Sequence, residues 1–202
     1  GLAADALTTG SENVALGYKA LSSEDTGSHN IAIGSGALEN LNYDGSGYNV
    51  AIGQNAGNDV TTGIRNTIVG GLAGDALTTG SDNIAIGYAA LSSSDTGSRT
   101  IAIGSYALED QNPTGSDYFY NVAIGYTAGR DITTGTNNTI IGGLAGDALT
   151  EGSQNVLIGK DAGGALTTGG QNTAVGFEAL LTEDTGYTAT AIGFRALKLQ
   201  DG

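Results

Sequence analysis

The sequence predicts an all-β protein: a parallel β-solenoid of eleven coils, each of about 17 residues. Two observations carry this. Glycines that close a recurring phrase (Gly17, Gly34, Gly53, Gly70, Gly87, Gly104, Gly125, Gly142, Gly159, Gly176 and Gly193) lie 17 residues apart, except for one spacing of 19 and one of 21. A fixed period of this size is the mark of coils stacked on one another. The residues before each glycine are β-branched and alternating, as in Val14-Ala15-Leu16 and Ile84-Ala85-Ile86, which is the pattern of a short strand. A composition of 35 glycines, one proline and evenly spaced Ile, Val and Leu excludes both collagen and a disordered chain.

Each position of the coil has a reading. Val14 and Leu16 share one strand face and Ala15 takes the other, and both faces are apolar, so one should fill the coil and the other be covered from outside, most simply by a second copy of the chain. Asn opens nine of the eleven phrases, with Thr100 and Ala189 as the exceptions, and stacked Asn side chains would form an amide ladder along the rod. Ala stands three residues after every closing glycine, from Ala20 to Ala196, as a tight corner demands. Thr-Gly before most phrases reads as a turn in which glycine allows a positive φ.

Core volume is traded within the coil. Where Leu21, Leu91 or Leu180 stands four residues past the glycine, the residue three further on is polar (Glu24, Ser94, Glu183). Where Gly57, Gly74, Gly129, Gly146 or Gly163 stands there, that later residue is apolar (Val60, Leu77, Ile132, Leu149, Leu166). One interior slot filled from either side accounts for the exchange. Ile68 and Ile140 replace the usual strand Ala, and Gly71 and Gly143 are expected to make room for them.

Several functions are excluded or disfavoured. Seven basic against 21 acidic residues leave a net charge of -14, with Lys and Arg scattered singly, so a nucleic-acid surface is not expected. No Cys means no disulfide and no thiolate chemistry, and no apolar run is long enough to insert in a membrane. His29 is the lone histidine, in a turn where Arg99 takes its place in the related coil, which makes a Ser-His-Asp triad with Asp25 and Ser28 a weak reading. The turn aspartates (Asp5, Asp75, Asp147; Asp25, Asp95, Asp184; Asp59, Asp131) lack the nonapeptide calcium pattern and read as solubilising turn residues. No metal site, cofactor or enzymatic activity is expected.

Asn-Val-Ala-Ile-Gly-x-x-Ala and its variants, as in residues 13–20, 49–56 and 121–128, resemble the YadA-like head repeats of trimeric autotransporter adhesins; the phrase over 79–91 is also similar to repeats of bacteriophage tail-fibre shafts. The resemblance covers essentially the whole chain, although those head repeats are nearer 14 residues. It implies a left-handed β-roll, an intertwined homotrimer, an extracellular place on a bacterial surface or virion tail fibre, and attachment to a glycan or protein receptor. Residues 1–202 read as a single solenoid domain, a fragment of a longer fibre protein, because the first residue enters mid-repeat.

The candidate receptor-binding residues lie in two insertions. Residues 39–49 add two residues to the period and 109–121 add four, and together they hold five of the twelve aromatics. Insertions in solenoids commonly gather on a binding face. The residues singled out are Tyr43, Asp44 and Tyr48 from the first, and Asp117, Tyr118, Phe119 and Tyr120 from the second, either stacking on a receptor or packing back on the coil. The insertions are four coils apart, which puts them on one side at about 20 Å separation. The competing function is an ice-binding solenoid, motivated by the recurring Thr pairs Thr8-Thr9, Thr61-Thr62, Thr78-Thr79, Thr133-Thr134 and Thr167-Thr168.

Overall fold

The computed structural model describes residues 2–112 and 118–199. Among these, eleven three-residue strands follow in order: β1 (Val14–Leu16), β2 (Ile31–Ile33), β3 (Val50–Ile52), β4 (Thr67–Val69), β5 (Ile84–Ile86), β6 (Ile101–Ile103), β7 (Val122–Ile124), β8 (Thr139–Ile141), β9 (Val156–Ile158), β10 (Thr173–Val175) and β11 (Thr190–Ile192). Each pairs in parallel with the next, so the sheet order is the chain order and every connection is one coil of a β-solenoid. The register puts each strand residue over its repeat equivalent, for example Ala15 over Ala32, and Ala51 over Ile68. The two insertions leave this register intact on either side.

The strand alternation decides inside from outside. The middle residue of each strand points inward: Ala32, Ala51, Ala85, Ala102, Ala123 and Ala174 are fully buried. The flanking residues point outward and stay half-exposed or exposed. The corner alanines from Ala20 to Ala179 are fully buried in the same core, as their invariance predicts.

Glycine closes each strand for a steric reason. Gly17 has φ +138, and a Cβ there would lie 2.4 Å from the carbonyl oxygen of Gly34 in the next coil. Gly193, past the last strand, meets nothing within 4 Å, which shows that the crowding comes from the stacked neighbour. The Thr-Gly column is different from its sequence reading. Gly10, Gly63, Gly80, Gly135 and Gly152 do not adopt positive φ; they are glycine because a Cβ would stand 2.2 or 2.3 Å from the next coil's glycine carbonyl.

The traded slot is present. A Cβ on Gly57 would meet Val60 Cγ2 at 3.2 Å, and one on Gly74 would meet Leu77 Cδ1 at 3.0 Å, so the two positions of a coil do compete for one volume. The room for the bulky strand residues comes from elsewhere than expected. Gly71 and Gly143 face the Tyr88 ring and the Tyr126 carbonyl, not Ile68 and Ile140. Ile68 instead fits between Gly57 and Gly74, and Ile140 between Gly129 and Gly146; their Cδ1 atoms lie 2.8 to 3.5 Å from where those Cβ atoms would be, and the Leu157 methyls lie 2.7 to 3.1 Å from those of Gly146 and Gly163. A large inward strand residue therefore needs glycine at the corner of both adjoining coils.

The amide ladder runs through the buried interior. Asn49 Oδ1 accepts the backbone N–H of Asn66 at 3.0 Å, and Asn49 Nδ2 donates to the Gly63 carbonyl at 2.9 Å. The same pair of bonds recurs at Asn66, Asn83, Asn121, Asn138, Asn155 and Asn172. At Thr100 the column lacks an amide, and Gln111 from the second insertion supplies one. Its Nε2 donates to Thr100 Oγ1 at 3.1 Å and its Oε1 accepts from Asn121 Nδ2 at 3.0 Å, with Gln111 itself fully buried.

Candidate functional site

The residue just before each ladder position takes a left-handed backbone conformation, with φ between 51 and 63 at Glu12, His29, Tyr48, Arg65, Asp82, Arg99, Tyr120, Asn137, Gln154, Gln171 and Thr188. Such a φ is uncommon for residues other than glycine. Here it is held by a hydrogen bond to the preceding coil: Arg65 N–H donates to the Gly47 carbonyl at 2.7 Å and Arg99 N–H to the Ser81 carbonyl at 3.0 Å. The turn sends these side chains outward while the following Asn points in, and stacking aligns them in one axial row.

Within the row, neighbours interact coil to coil. Glu12 pairs with His29 at 3.3 Å, and the His29 ring lies 4.9 Å from that of Tyr48. Arg65 grips Asp82 through two bonds of 2.6 and 3.0 Å, and this guanidinium, with Arg99 adding a smaller effect, holds the Asp82 carboxyl below the usual carboxylate range. Arg99 Nη1 donates to the Tyr120 hydroxyl at 2.6 Å, and its Cζ sits 3.9 Å from the centroid of the Tyr118 ring. The segment from Tyr48 to Tyr120 is thus bounded by an aromatic from each insertion. Arg65, Asp82 and Arg99 lie between them, beside a groove of about 320 Å³.

The candidate residues separate on this geometry. Tyr48, Tyr118 and Tyr120 are exposed and belong to this region. Phe119 is buried at 2% exposure, and Tyr43 is partly buried against the core cluster, so both pack back onto the coil. Asp44 accepts a hydrogen bond from Thr26 Oγ1 at 2.8 Å. Asp117 lies outside the described residues. Arg65, Asp82 and Arg99 were missed in the sequence because each belongs to a different coil; the signal that finds them is their shared offset, one residue before the ladder position.

Other motifs are absorbed by the coil. The first hydroxyl of the Thr pairs faces the next coil: Thr8, Thr61, Thr133 and Thr167 each donate to its backbone carbonyl. Among the described residues no three His, Asp or Glu side chains gather as a metal-binding group, and no helix is long and apolar enough to cross a membrane. Glu24 is fully buried and accepts from the N–H groups of Asp25, Gly27 and Tyr43 at 3.1, 2.7 and 3.2 Å, tying the first insertion to the preceding coil. Comparison with protein-family models, with curated proteins and with solved structures finds no match for this chain.

Proposed function

We propose that the chain is a non-enzymatic segment of an extracellular trimeric adhesive fibre, in which three solenoids pack by their sheet faces and display the insertion row to a cell-surface receptor. The observation that supports this most is the outward face of the sheet. Parallel sheets are ordinarily covered on both faces, yet here the outer rows carry Val14, Leu16, Ile52, Ile124 and Ile192 at 36 to 68% exposure. Aromatic residues extend the apolar strip just past the strand-closing glycines: Tyr18, Tyr88, Tyr126 and Phe194 are exposed, and Phe177 stacks on Phe194 at 5.4 Å. The strip follows the whole stack of eleven strands, about 50 Å, which is longer than the patches a monomer usually leaves open.

Burying a half-exposed Ile or Val contributes on the order of 1 kcal/mol, and repetition on every coil multiplies this along the seam. The row of Tyr48, Arg65, Asp82, Arg99 and Tyr120 follows the turn rather than the strand, so a seam on the sheet leaves it open for recognition. The test is absolute molar mass in solution. Three times 20.0 kDa is the expected result, and a single-chain mass would overturn the trimer.

A further inference from the structure

We propose that the groove bounded by Arg65, Asp82, Arg99 and Tyr118 is a subsite for a saccharide bearing a carboxylate. The inference rests on the adhesive reading and names the chemistry of what the row would grip.

Charge is the first argument. Six of the seven basic side chains are paired with carboxylates: Lys19, Arg65, Arg130, Lys160, Arg195 and Lys198. Arg99 is the remaining one, and among the described residues it has no carboxylate partner. The Asp82 charge reaches it across the same groove, but that carboxylate is clamped by Arg65, so the outer edge of Arg99 is left without a direct ion pair. The guanidinium is nonetheless fixed, stacked 3.9 Å over Tyr118 and bonded to the Tyr120 hydroxyl. One of its five N–H donors is used there, which leaves a planar edge suited to two-point contact with a carboxylate.

The surroundings define the rest of the ligand. The groove, at about 320 Å³, has the volume of a small-ligand site. The exposed Tyr118 and Tyr120 rings supply an amphipathic platform of the kind that packs against the C–H face of a sugar. Ser81 and Ser98, which line the same groove, and the Asp82 carboxylate can exchange hydrogen bonds with sugar hydroxyls. Asp82 also sets the charge of the ligand, because a phosphate dianion beside it would be repelled more strongly than a single carboxylate. The groove therefore favours a hexuronic or nonulosonic acid unit over a phosphorylated one.

The experiment is calorimetric titration of the intact chain with trigalacturonate and sialyllactose, against the carboxyl-reduced trisaccharide and lactose, with inorganic phosphate as competitor. At least one carboxylated probe should bind, its neutral counterpart about ten-fold more weakly or worse. Phosphate at equal concentration should not displace it. Arg99→Ala and Arg99→Lys should both lose most of the affinity, Tyr118→Ala should weaken it, and Arg130→Ala should leave it unchanged, with circular dichroism confirming the fold of each. Binding of neither acidic probe, equal binding of the neutral ones, displacement by phosphate, or an unaffected Arg99→Ala would each overturn the subsite. Adhesion of the same chain to fixed bacterial and epithelial cells separates the two readings: cells held without acidic-sugar binding would refute the subsite and leave the adhesive fibre standing, whereas an acidic sugar bound without adhesion would do the reverse.

Discussion

Gln111 does at one point of the interior what an asparagine does elsewhere, by reaching in from an insertion to meet Thr100 and Asn121. Its removal would strand a buried amide, so Gln111→Ala should destabilise the fold by about 1–3 kcal/mol in denaturant titration. Adding Thr100→Asn should restore part of that loss, since Asn30 and Asn49 already bond directly across the first insertion. Failure of the rescue would show that the insertion imposes a different spacing at this point. Asp75 gives a second test. Burial, reinforced by the Asp59 charge and opposed by backbone hydrogen bonds, raises its pKa above the ordinary aspartate value, and burial likewise raises that of Asp147. The folded chain then binds more protons than the unfolded chain just above that ordinary value, so these groups cost stability as pH rises through the window and return it as pH falls. Melting temperature should therefore rise as the pH is lowered from 7 toward the ordinary aspartate value. Asp75→Asn should raise it at pH 7 and shrink the gain on acidification. Below the ordinary carboxylate values the sign reverses, because Asp82 and Glu178 are held low by Arg65 and by Lys198 with Arg195.

At the scale of one coil, the exchange of Leu for Gly at the corner makes a definite double-mutant prediction. Leu91 is fully buried, and Ser94 is buried with a hydroxyl that has no hydrogen-bond partner among the described residues. Leu91→Gly alone should cost roughly 2–5 kcal/mol as a cavity, and Ser94→Leu alone about 1–3 kcal/mol by overpacking. Together they convert the coil to the Gly74–Leu77 type, so the pair should cost clearly less than the sum of the singles. Additivity would mean that the two positions do not share a slot. This exchange, the 17-residue coil and the corner alanines were legible in the sequence because each is a contact within one repeat or between identical positions of adjacent repeats, whereas two apolar strand faces did not say which of them turns inward. What was not legible involves two coils at unlike positions. The space for Ile68 comes from Gly57 and Gly74 rather than Gly71, and the Thr-Gly glycines are set by a carbonyl in the next coil rather than by their own φ. The site divides in the same way. Its tyrosines stood out in the insertions, but Phe119 turned inward, and Arg65, Asp82 and Arg99 join them only once the coils are stacked.

At the scale of the molecule, one face of the sheet is satisfied and the other is not. The inward face is closed by the chain itself, through Ala85, Ala102 and their equivalents, so the coil does not require the outward residues for its own core. Ile86 and Ile141 lie on that outward face, in the row that ends strands β5 and β8. Ile86→Lys and Ile141→Lys combined would place two ammonium groups in the proposed seam of each chain, six in a trimer, where burial without a partner is strongly unfavourable. In a monomer the same lysines would extend into water with their stems along the sheet. The double variant should therefore keep the far-ultraviolet strand signal while its mass in light scattering falls from three chains to one. Loss of the strand signal would show that the coil cannot stand without its partners, and the trimer would then be part of the fold rather than an assembly of finished rods. An unchanged trimer would place the seam elsewhere on the coil, and the apolar strip would need another occupant.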